Sequence, residues 1–184
     1  MIENLSAFPH LERLVRIVRP PRAPVAAEGD WAAVERQLGL RLPGDYKALV
    51  ATYGSGMFDD FLEFLTPFSR PGETLLDFGA GTMLNTMRDN RASGIDLPYP
   101  LHPEPGGLLP WGDTANGDWC FWQSDPADQP DSWRIVVNAS RSEEYWEHDG
   151  PLTAVLADVL SRRVRPDFCP DDFPSDRPEF GTIP

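Results

Sequence analysis

The sequence is poor in the side chains that most often build metal and catalytic centres. It has three histidines, His10, His102 and His148, which form no short-spaced pair with another ligand type, as a zinc site would require. Its two cysteines, Cys120 and Cys169, lie far apart in sequence, and we expect free thiols. No Gly-x-Ser-x-Gly, His-Glu-x-x-His or phosphate-loop motif occurs. We therefore expect no metal, no cofactor and no enzymatic activity. A catalytic carboxylate pair stays open as an alternative, because any two of the 29 acidic residues can meet in space.

Long apolar runs and a basic leader segment are missing as well. No stretch of about 18 apolar residues occurs, so the sequence predicts no membrane span. The first ten residues lack a basic region followed by an apolar core, so we expect no signal peptide and a cytoplasmic protein. Lysine occurs once against 15 arginines, and alanine, glycine and proline are frequent, which is typical of a high-GC bacterial genome.

Positive charge is scarce in the middle of the chain. The net charge is −13, and residues 96–149 hold 11 acids and two bases, a net −9, whereas residues 1–95 and 150–184 each carry −2. An acidic field repels nucleic acid and anionic membranes and attracts basic proteins. We therefore predict a basic protein partner, with no nucleic-acid and no membrane partner. The alternative is that the acidity only keeps the protein soluble.

The most specific pattern in the chain is the segment Trp31–Gly56. Asp30 precedes apolar residues at i, i+3 and i+7, which predicts a capped helix that ends at Gly39. Pro43 suits the first position of a second helix, which carries an apolar stripe and ends at Gly54. The segment therefore predicts a helical hairpin packed on a core, and it carries no catalytic group.

This segment resembles the opening of the SUKH superfamily, which includes Smi/Knr-type yeast regulators of cell-wall synthesis and many bacterial toxin-immunity proteins. The resemblance rests on Trp31, Glu35, Leu38-Gly39, Leu42-Pro43, Tyr46 and Tyr53-Gly54-Ser55-Gly56, and on the later segments Phe61–Pro67, Leu109–Asp113 and Asn116–Asp118. It implies a non-enzymatic protein-binding module, which in bacteria typically binds and neutralises a cognate toxin, often a nuclease. A regulatory scaffold, as in the yeast members, is the second hypothesis.

The resemblance covers roughly residues 25–165, and the flanking segments have a different composition. We predict an amphipathic N-terminal helix and a Pro-rich linker over residues 1–24, a SUKH-like domain over 25–165, and an acidic Pro-rich tail over 166–184. The tail is expected to lie on the surface or to be disordered.

The second half of the chain reads as strands followed by a helix. Strands are predicted around residues 61–65, 108–111, 118–123, 133–138 and 144–148, with a tight turn at Asn116-Gly117 and a helix that begins at Pro151. The predicted fold is a single α+β domain, with a mixed, mostly antiparallel sheet and helices packed against it.

The segment Leu75–Thr82 (LLDFGAGT) is a possible cofactor motif. It looks like the glycine-rich segment between a strand and a turn in methyltransferases that bind S-adenosylmethionine. Such a cofactor-binding motif requires a fold of repeating βα units. The rest of the chain does not supply those units, so we predict a helix with close packing at Gly79 and Gly81. A methyltransferase is the remote alternative.

Aromatic residues crowd the same segment that carries the acidic charge. In a strand, Trp119 and Phe121 face one side and Cys120 and Trp122 the other, so one sheet face packs on helices and the other is partly exposed or covered by loops. Aromatic anchors with a carboxylate rim suit an Arg/Lys-rich partner; the alternative is two layers of core aromatics. The candidate partner-binding residues are Asp113, Asp118, Trp119, Trp122, Asp125, Asp128, Asp131, Glu143, Glu144 and Trp146.

Overall fold

A seven-stranded sheet with helices on both faces makes up the computed structural model, which describes residues 7–140 and 145–183. The strands are β1 (Gly56–Phe58), β2 (Leu62–Phe64), β3 (Leu108–Thr114), β4 (Trp119–Gln123), β5 (Arg134–Asn138), β6 (Tyr145–His148) and β7 (Phe180–Thr182). The α-helices are α1 (Pro9–Ile17), α2 (Trp31–Leu38), α3 (Gly44–Tyr53), α4 (Leu84–Ala92) and α5 (Leu152–Leu160). The strand order is β6-β5-β4-β3-β2-β1-β7, and each neighbouring pair is antiparallel. The predicted α+β fold is confirmed.

The predicted helical hairpin is formed by α2 and α3. The Asp30 carboxylate accepts a hydrogen bond from the Ala33 backbone N–H (3.0 Å) and so caps α2. The Glu35 carboxylate accepts one from the Leu42 N–H (2.8 Å) and forms an ion pair with Lys47. Glu35 therefore ties the connector and α3 to α2.

Helix α1 packs against α5 on the same sheet face as the hairpin. Leu11 and Leu14 are fully buried in the main core, and the Arg13 guanidinium reaches the Asp158 carboxylate of α5 at 2.7 Å. The N-terminal helix is therefore an integral part of this helical layer. The domain boundary at residue 24 stays a prediction.

The C-terminal segment adds an edge strand that the sequence did not indicate. Strand β7 pairs with β1, and Phe173 is buried with its ring 4.5 Å from that of Phe61, centroid to centroid. The Asp59 carboxylate accepts hydrogen bonds from the backbone N–H groups of Ser175 (2.7 Å) and Glu179 (2.8 Å). These contacts hold the segment along the sheet edge. The boundary at residue 165 stays a prediction.

The glycine-rich segment is a helix, as predicted, although its first part is π-helical over Leu75–Met83 before it continues as α4. A Cβ atom on Gly79 would lie 3.1 Å from Leu65 Cδ1 and 3.5 Å from the Pro110 Cβ, so glycine allows the close approach of this helix to the sheet. The alternative of a cofactor-binding turn at a strand end is wrong, because the glycines lie inside a helix.

The second sheet face is covered by α4 and by the Pro-rich loop that follows it. A separate apolar cluster forms there between the helix, the loop and the strands, from Leu84, Met87, Leu101, Leu108, Phe121 and Val136. Both faces of the central strands are therefore largely buried. Open surface remains at the edges and ends of the sheet.

Candidate functional site

The eight candidate residues that the structure describes do not form one continuous surface. The structure places Trp122 and Asp118 in the interior, Asp125, Asp128 and Asp131 on an exposed connection, and Asp113, Trp119 and Trp146 on half-buried strand positions. Glu143 and Glu144 lie outside the described residues. These groups have different surroundings and therefore different capacities to meet a partner.

Trp122 and Asp118 are structural in this arrangement. Trp122 is 1% exposed, and its ring packs edge-on against Tyr46 of α3 with 4.9 Å between centroids. The Asp118 carboxylate is buried and accepts hydrogen bonds from the Thr114 hydroxyl (2.5 Å) and the Ser140 backbone N–H (2.9 Å). Alternation along β4 points Trp122 towards the α2–α3 hairpin. Because both side chains are buried, neither is available for direct contact with a partner.

The connection between β4 and β5 carries three of the exposed acidic residues of the segment 96–149. Asp125, Asp128 and Asp131 are exposed, and none of them takes part in an ion pair with another described residue. Asp131 also accepts a hydrogen bond from the Gly44 N–H (2.6 Å), at the start of α3. The Trp133 indole N–H donates to the Pro126 carbonyl (2.8 Å) and holds the connection in place. We call Asp125, Asp128 and Asp131 the acidic connection.

Trp146 lies on the edge strand β6. Its ring packs against Phe168 with 5.7 Å between centroids and against His148 with 5.5 Å. It is half-buried by the C-terminal segment, so only part of its surface faces outwards.

Strand register brings together a group of residues that the sequence did not connect. Glu63 pairs with Asp113, Asp113 with Trp119, Trp119 with Asn138, and Asn138 with Tyr145. Residues directly opposite each other in neighbouring strands point to the same face. These five side chains therefore form a line across β2 to β6, which we call the transverse row.

Each end of the transverse row lines a cavity. Glu63 and Asp113 line one of about 310 Å³, the acidic cavity, with Leu65, Glu73, Phe78 and Ile183. Trp119, Asn138 and Tyr145 line one of about 610 Å³, the aromatic cavity, with Met87, Asn90, Ile95, Asp96, Leu97 and Pro98. Glu63, Asn138 and Tyr145 were missed because only the pairing of distant strands reveals them.

The acidic end of the transverse row has perturbed titration. Burial, together with the neighbouring Asp113 and Glu73 carboxylates, raises the pKa of Glu63 to about 7. Burial likewise raises the pKa of Asp113 to about 6. The Oδ1 atom of Asp113 is shielded from solvent and has no hydrogen-bond partner among the described residues. Two adjacent carboxylates of this kind attract a cation or a proton.

This pair makes folding stability depend on pH. The folded protein binds a proton at Glu63 that the unfolded chain releases near its ordinary pKa, so the free energy of unfolding falls as pH rises towards about 7. We expect Glu63→Gln to be more stable than the wild type by about 1 kcal/mol at about pH 8 and equal to it at about pH 5. Solvent contact with the half-buried carboxylate keeps this difference small.

Urea unfolding of both proteins at the two pH values measures this difference. Glu28→Gln, which neutralises an exposed carboxylate elsewhere, is the matched control and should leave both values unchanged. A Glu63→Gln protein no more stable than the wild type at the higher pH would contradict the raised pKa.

Other chemistry is limited in the described part of the chain. Residues 7–140 and 145–183 contain no group of three or more histidine, cysteine, aspartate and glutamate side chains arranged to hold a metal ion. Cys120 and Cys169 are free thiols, as predicted. None of the helices among these residues has the length and apolar character needed to cross a membrane. The arrangement offers cation binding and aromatic packing.

The chain is similar to one family of known proteins. The family model SUKH_6, described as SMI1-KNR4 cell-wall, matches residues 28–149, well over half of the 184 residues. Neither a search of curated proteins nor a search of solved structures found a match. The matched segment includes the α2–α3 hairpin, the glycine-rich helix and strands β1 to β6. By this match the chain belongs to the SMI1-KNR4 cell-wall family of the SUKH superfamily.

Proposed function

We propose that this chain is a cytoplasmic immunity protein, which binds a cognate toxin domain with a basic surface and neutralises it without catalysis. Membership of the SUKH superfamily supports a protein-binding role. The observation that carries the basic partner is the acidic connection, where three carboxylates are exposed and form no ion pair with another described residue.

The proposed mechanism is occlusion. Toxins that act on nucleic acid need a basic face to hold the phosphate backbone. Exposed carboxylates on a firmly held loop attract that face at long range and increase the association rate constant. Once bound, the immunity protein covers the surface that the substrate would use.

The regulatory-scaffold alternative predicts an N-terminal helix or C-terminal tail that is free to bind. Helix α1 is packed against α5, and the C-terminal segment pairs β7 with β1. Both elements are therefore occupied by internal contacts. This arrangement favours the immunity proposal over a scaffold that uses its termini.

A toxin domain encoded by a neighbouring gene provides the test. We expect the double variant Asp125→Lys/Asp128→Lys to lower the association rate constant for that domain about tenfold at low salt, and less at high salt because ions screen the field. Asp171→Lys/Asp172→Lys is the matched control: it changes the same charge at exposed positions in the C-terminal segment and should alter the rate constant less than about twofold.

Stopped-flow or surface-plasmon measurements give the rate constants, and growth of cells that express the toxin gives the biological outcome. Equal effects of the two double variants would mean that only net charge matters, and would contradict the acidic connection as the contact surface. A neighbouring toxin that neither binds this chain nor is neutralised by it would contradict the immunity function itself.

A further inference from the structure

We infer that the transverse row is the docking groove for an extended segment of the partner, which places an arginine or lysine in the acidic cavity and a large apolar side chain in the aromatic cavity. The inference rests on the proposed function, in that the occupant is a basic protein. It adds a second site, at the start of β4 where the acidic connection follows its end, and the side-chain pattern of the partner.

The acidic end of the row has the chemistry of a cation site. Glu63 and Asp113 are directly opposite each other, an arrangement of like charges that destabilises a sheet unless something compensates it. The described residues that line the cavity include no lysine or arginine. The Oδ1 atom of Asp113 is out of solvent and accepts no hydrogen bond from a described residue. A guanidinium or ammonium group that enters the cavity supplies the positive charge that the two carboxylates lack.

Apolar walls restrict what kind of cation fits the acidic cavity. Leu65, Phe78 and Ile183 line it beside the carboxylates. The methylene stem of an arginine or lysine packs on such walls while its charged end reaches the carboxylates. A cation on a long apolar stem therefore matches this cavity better than a small hydrated ion.

The aromatic end of the row has the composition of a protein-binding hot spot. Trp119 and Tyr145 are half-buried, and Ile95 on the rim is 53% exposed. Tyr145 is held edge-on by Tyr99, with 5.1 Å between ring centroids. Half-buried tryptophan and tyrosine rings with a polar rim are typical of the anchoring positions in interfaces. Among the described residues that line this cavity, Asp96 is the one that carries a charge. A partner residue that lies beside it is therefore again expected to be basic.

Strand spacing fixes the distance between the two partner side chains. Neighbouring strands lie about 4.8 Å apart, so the midpoint of Glu63 and Asp113 is about 12 Å from the midpoint of Trp119 and Tyr145 along the row. An extended peptide advances about 3.3 Å per residue, so side chains about four positions apart span about 13 Å. The partner segment therefore carries its basic residue and its apolar residue at i and about i+4.

Peptide titration tests the groove directly. The probe is acetyl-Arg-Ser-Thr-Ser-Phe-amide, added to the full chain at about pH 8, where the row carboxylates are ionised. We expect the indole N–H signal of Trp119 to shift in a nitrogen–proton NMR correlation spectrum, with a dissociation constant of about 1 mM. The Trp119→Phe variant assigns that signal by its loss.

Two control peptides separate the spacing from the composition. Acetyl-Ser-Thr-Ser-Arg-Phe-amide has the same composition with the two anchors adjacent, and acetyl-Glu-Ser-Thr-Ser-Phe-amide reverses the charge. Both are expected to bind at least about fivefold more weakly than the probe, because neither can fill both cavities with complementary groups. The inference would be overturned if either control bound as tightly as the probe. It would also be overturned if the Trp119 signal did not move at a probe concentration several times the expected dissociation constant.

Variants of the chain locate the cation. Asp113→Asn keeps the shape of the side chain and removes its charge, and is expected to weaken binding of the probe about fivefold. Asp172→Asn, exposed in the C-terminal segment and outside both the row and the acidic connection, is the matched control and should leave the affinity within about twofold. Equal weakening by both variants would indicate general charge attraction and would contradict a site at Asp113.

The groove and the proposed function can fail separately. If a neighbouring toxin binds and Asp113→Asn and Trp119→Phe leave its affinity unchanged, the groove inference is wrong while the immunity proposal stands. If the probe binds in the row with the expected spacing and no toxin is neutralised, the groove is correct and the immunity proposal is wrong.

Discussion

Replacing Trp122 with alanine is expected to lower the free energy of unfolding by about 3–5 kcal/mol, because the substitution removes a whole indole from the centre of the core. Trp122 is 1% exposed and lies between the hairpin and the sheet, with ring centroids 4.9 Å from Tyr46, 6.3 Å from Trp133 and 6.4 Å from Trp111. Losing it leaves a cavity that these rigid rings cannot close, which adds to the lost burial.

Denaturant unfolding followed by circular dichroism measures this loss. Trp122→Phe, which keeps an aromatic ring in place, should recover about half of the lost stability. Trp119→Ala, on the opposite face of the same strand, should cost clearly less than Trp122→Ala, because the side chain is only half-buried. If Trp122→Ala unfolded at nearly the same denaturant concentration as the wild type, Trp122 would have to lie at the surface, as the partner-binding hypothesis first placed it.

The contrast between Trp119 and Trp122 shows what alternation can and cannot predict. The sequence correctly separates the two tryptophans onto opposite faces of β4, because side chains alternate along any strand. It does not say which of the two faces the α2–α3 hairpin covers. That choice depends on how the α2–α3 hairpin and helices α1 and α5 pack, and the packing brings Tyr46 against Trp122.

Short elements at the sheet edge were beyond prediction for a related reason. Strands β1 and β7 are three residues each and are rich in glycine and aromatic residues, so neither shows a clear alternating pattern. Their pairing joins residues more than 100 positions apart, such as Gly56 and Thr182. The longer strands β3, β4 and β5 were predicted because they combine apolar runs with turn signals such as Asn116-Gly117.

The transverse row illustrates the same limit at the candidate site. Asp113 and Trp119 were candidates from their residue types, whereas Glu63 lies some 50 positions earlier in a segment that reads as an ordinary strand. Only the register β2–β3–β4 places the Glu63 carboxylate beside that of Asp113. Which two carboxylates meet is decided by the pairing of the strands. The composition of the chain gives only the number of acidic residues available.

Several carboxylates have internal tasks, so net charge overstates what a partner meets. The buried Asp45 carboxylate accepts a hydrogen bond from the Thr153 N–H (2.8 Å) at the start of α5, and burial raises its pKa. Asp131 serves the start of α3 in the same way, and Asp118 closes the β3–β4 turn. Carboxylates suit helix N-termini because they complement the positive end of the helix dipole. The surface available to a basic partner is therefore smaller and more local than the −9 of residues 96–149 suggests.

Replacing Gly54 with alanine is the second substitution with a large expected effect, a loss of about 3–5 kcal/mol in the free energy of unfolding. Gly54 follows α3 with φ 71° and ψ −157°, a backbone conformation that residues with a Cβ atom avoid. A Cβ atom there would also lie 2.6 Å from the Val25 backbone nitrogen and closer still to its carbonyl oxygen. Backbone cannot rotate away as a side chain can, so the contact is relieved only by moving the chain.

The expected damage reaches the N-terminal linker as well as the helix end. Val25 and Gly54 form a parallel β-bridge, and the Ser55 N–H donates to the Val25 carbonyl at 2.7 Å. Displacing Val25 breaks this hydrogen bond and loosens the linker that leads from α1 into the hairpin. Hydrogen exchange should therefore show faster exchange at Ser55 in the variant, in addition to the lower global stability.

Gly39 provides a matched control in the same hairpin. It also has a positive φ, 69° with ψ 15°, but nothing lies within 4 Å of where its Cβ atom would be. Gly39→Ala is expected to cost only about 1 kcal/mol, the strain of a left-handed alanine. The difference between the two alanine variants measures the close approach of Val25 separately from backbone conformation. Equal losses would show that Val25 yields freely, and that the linker is not fixed to the hairpin in the way the bridge implies.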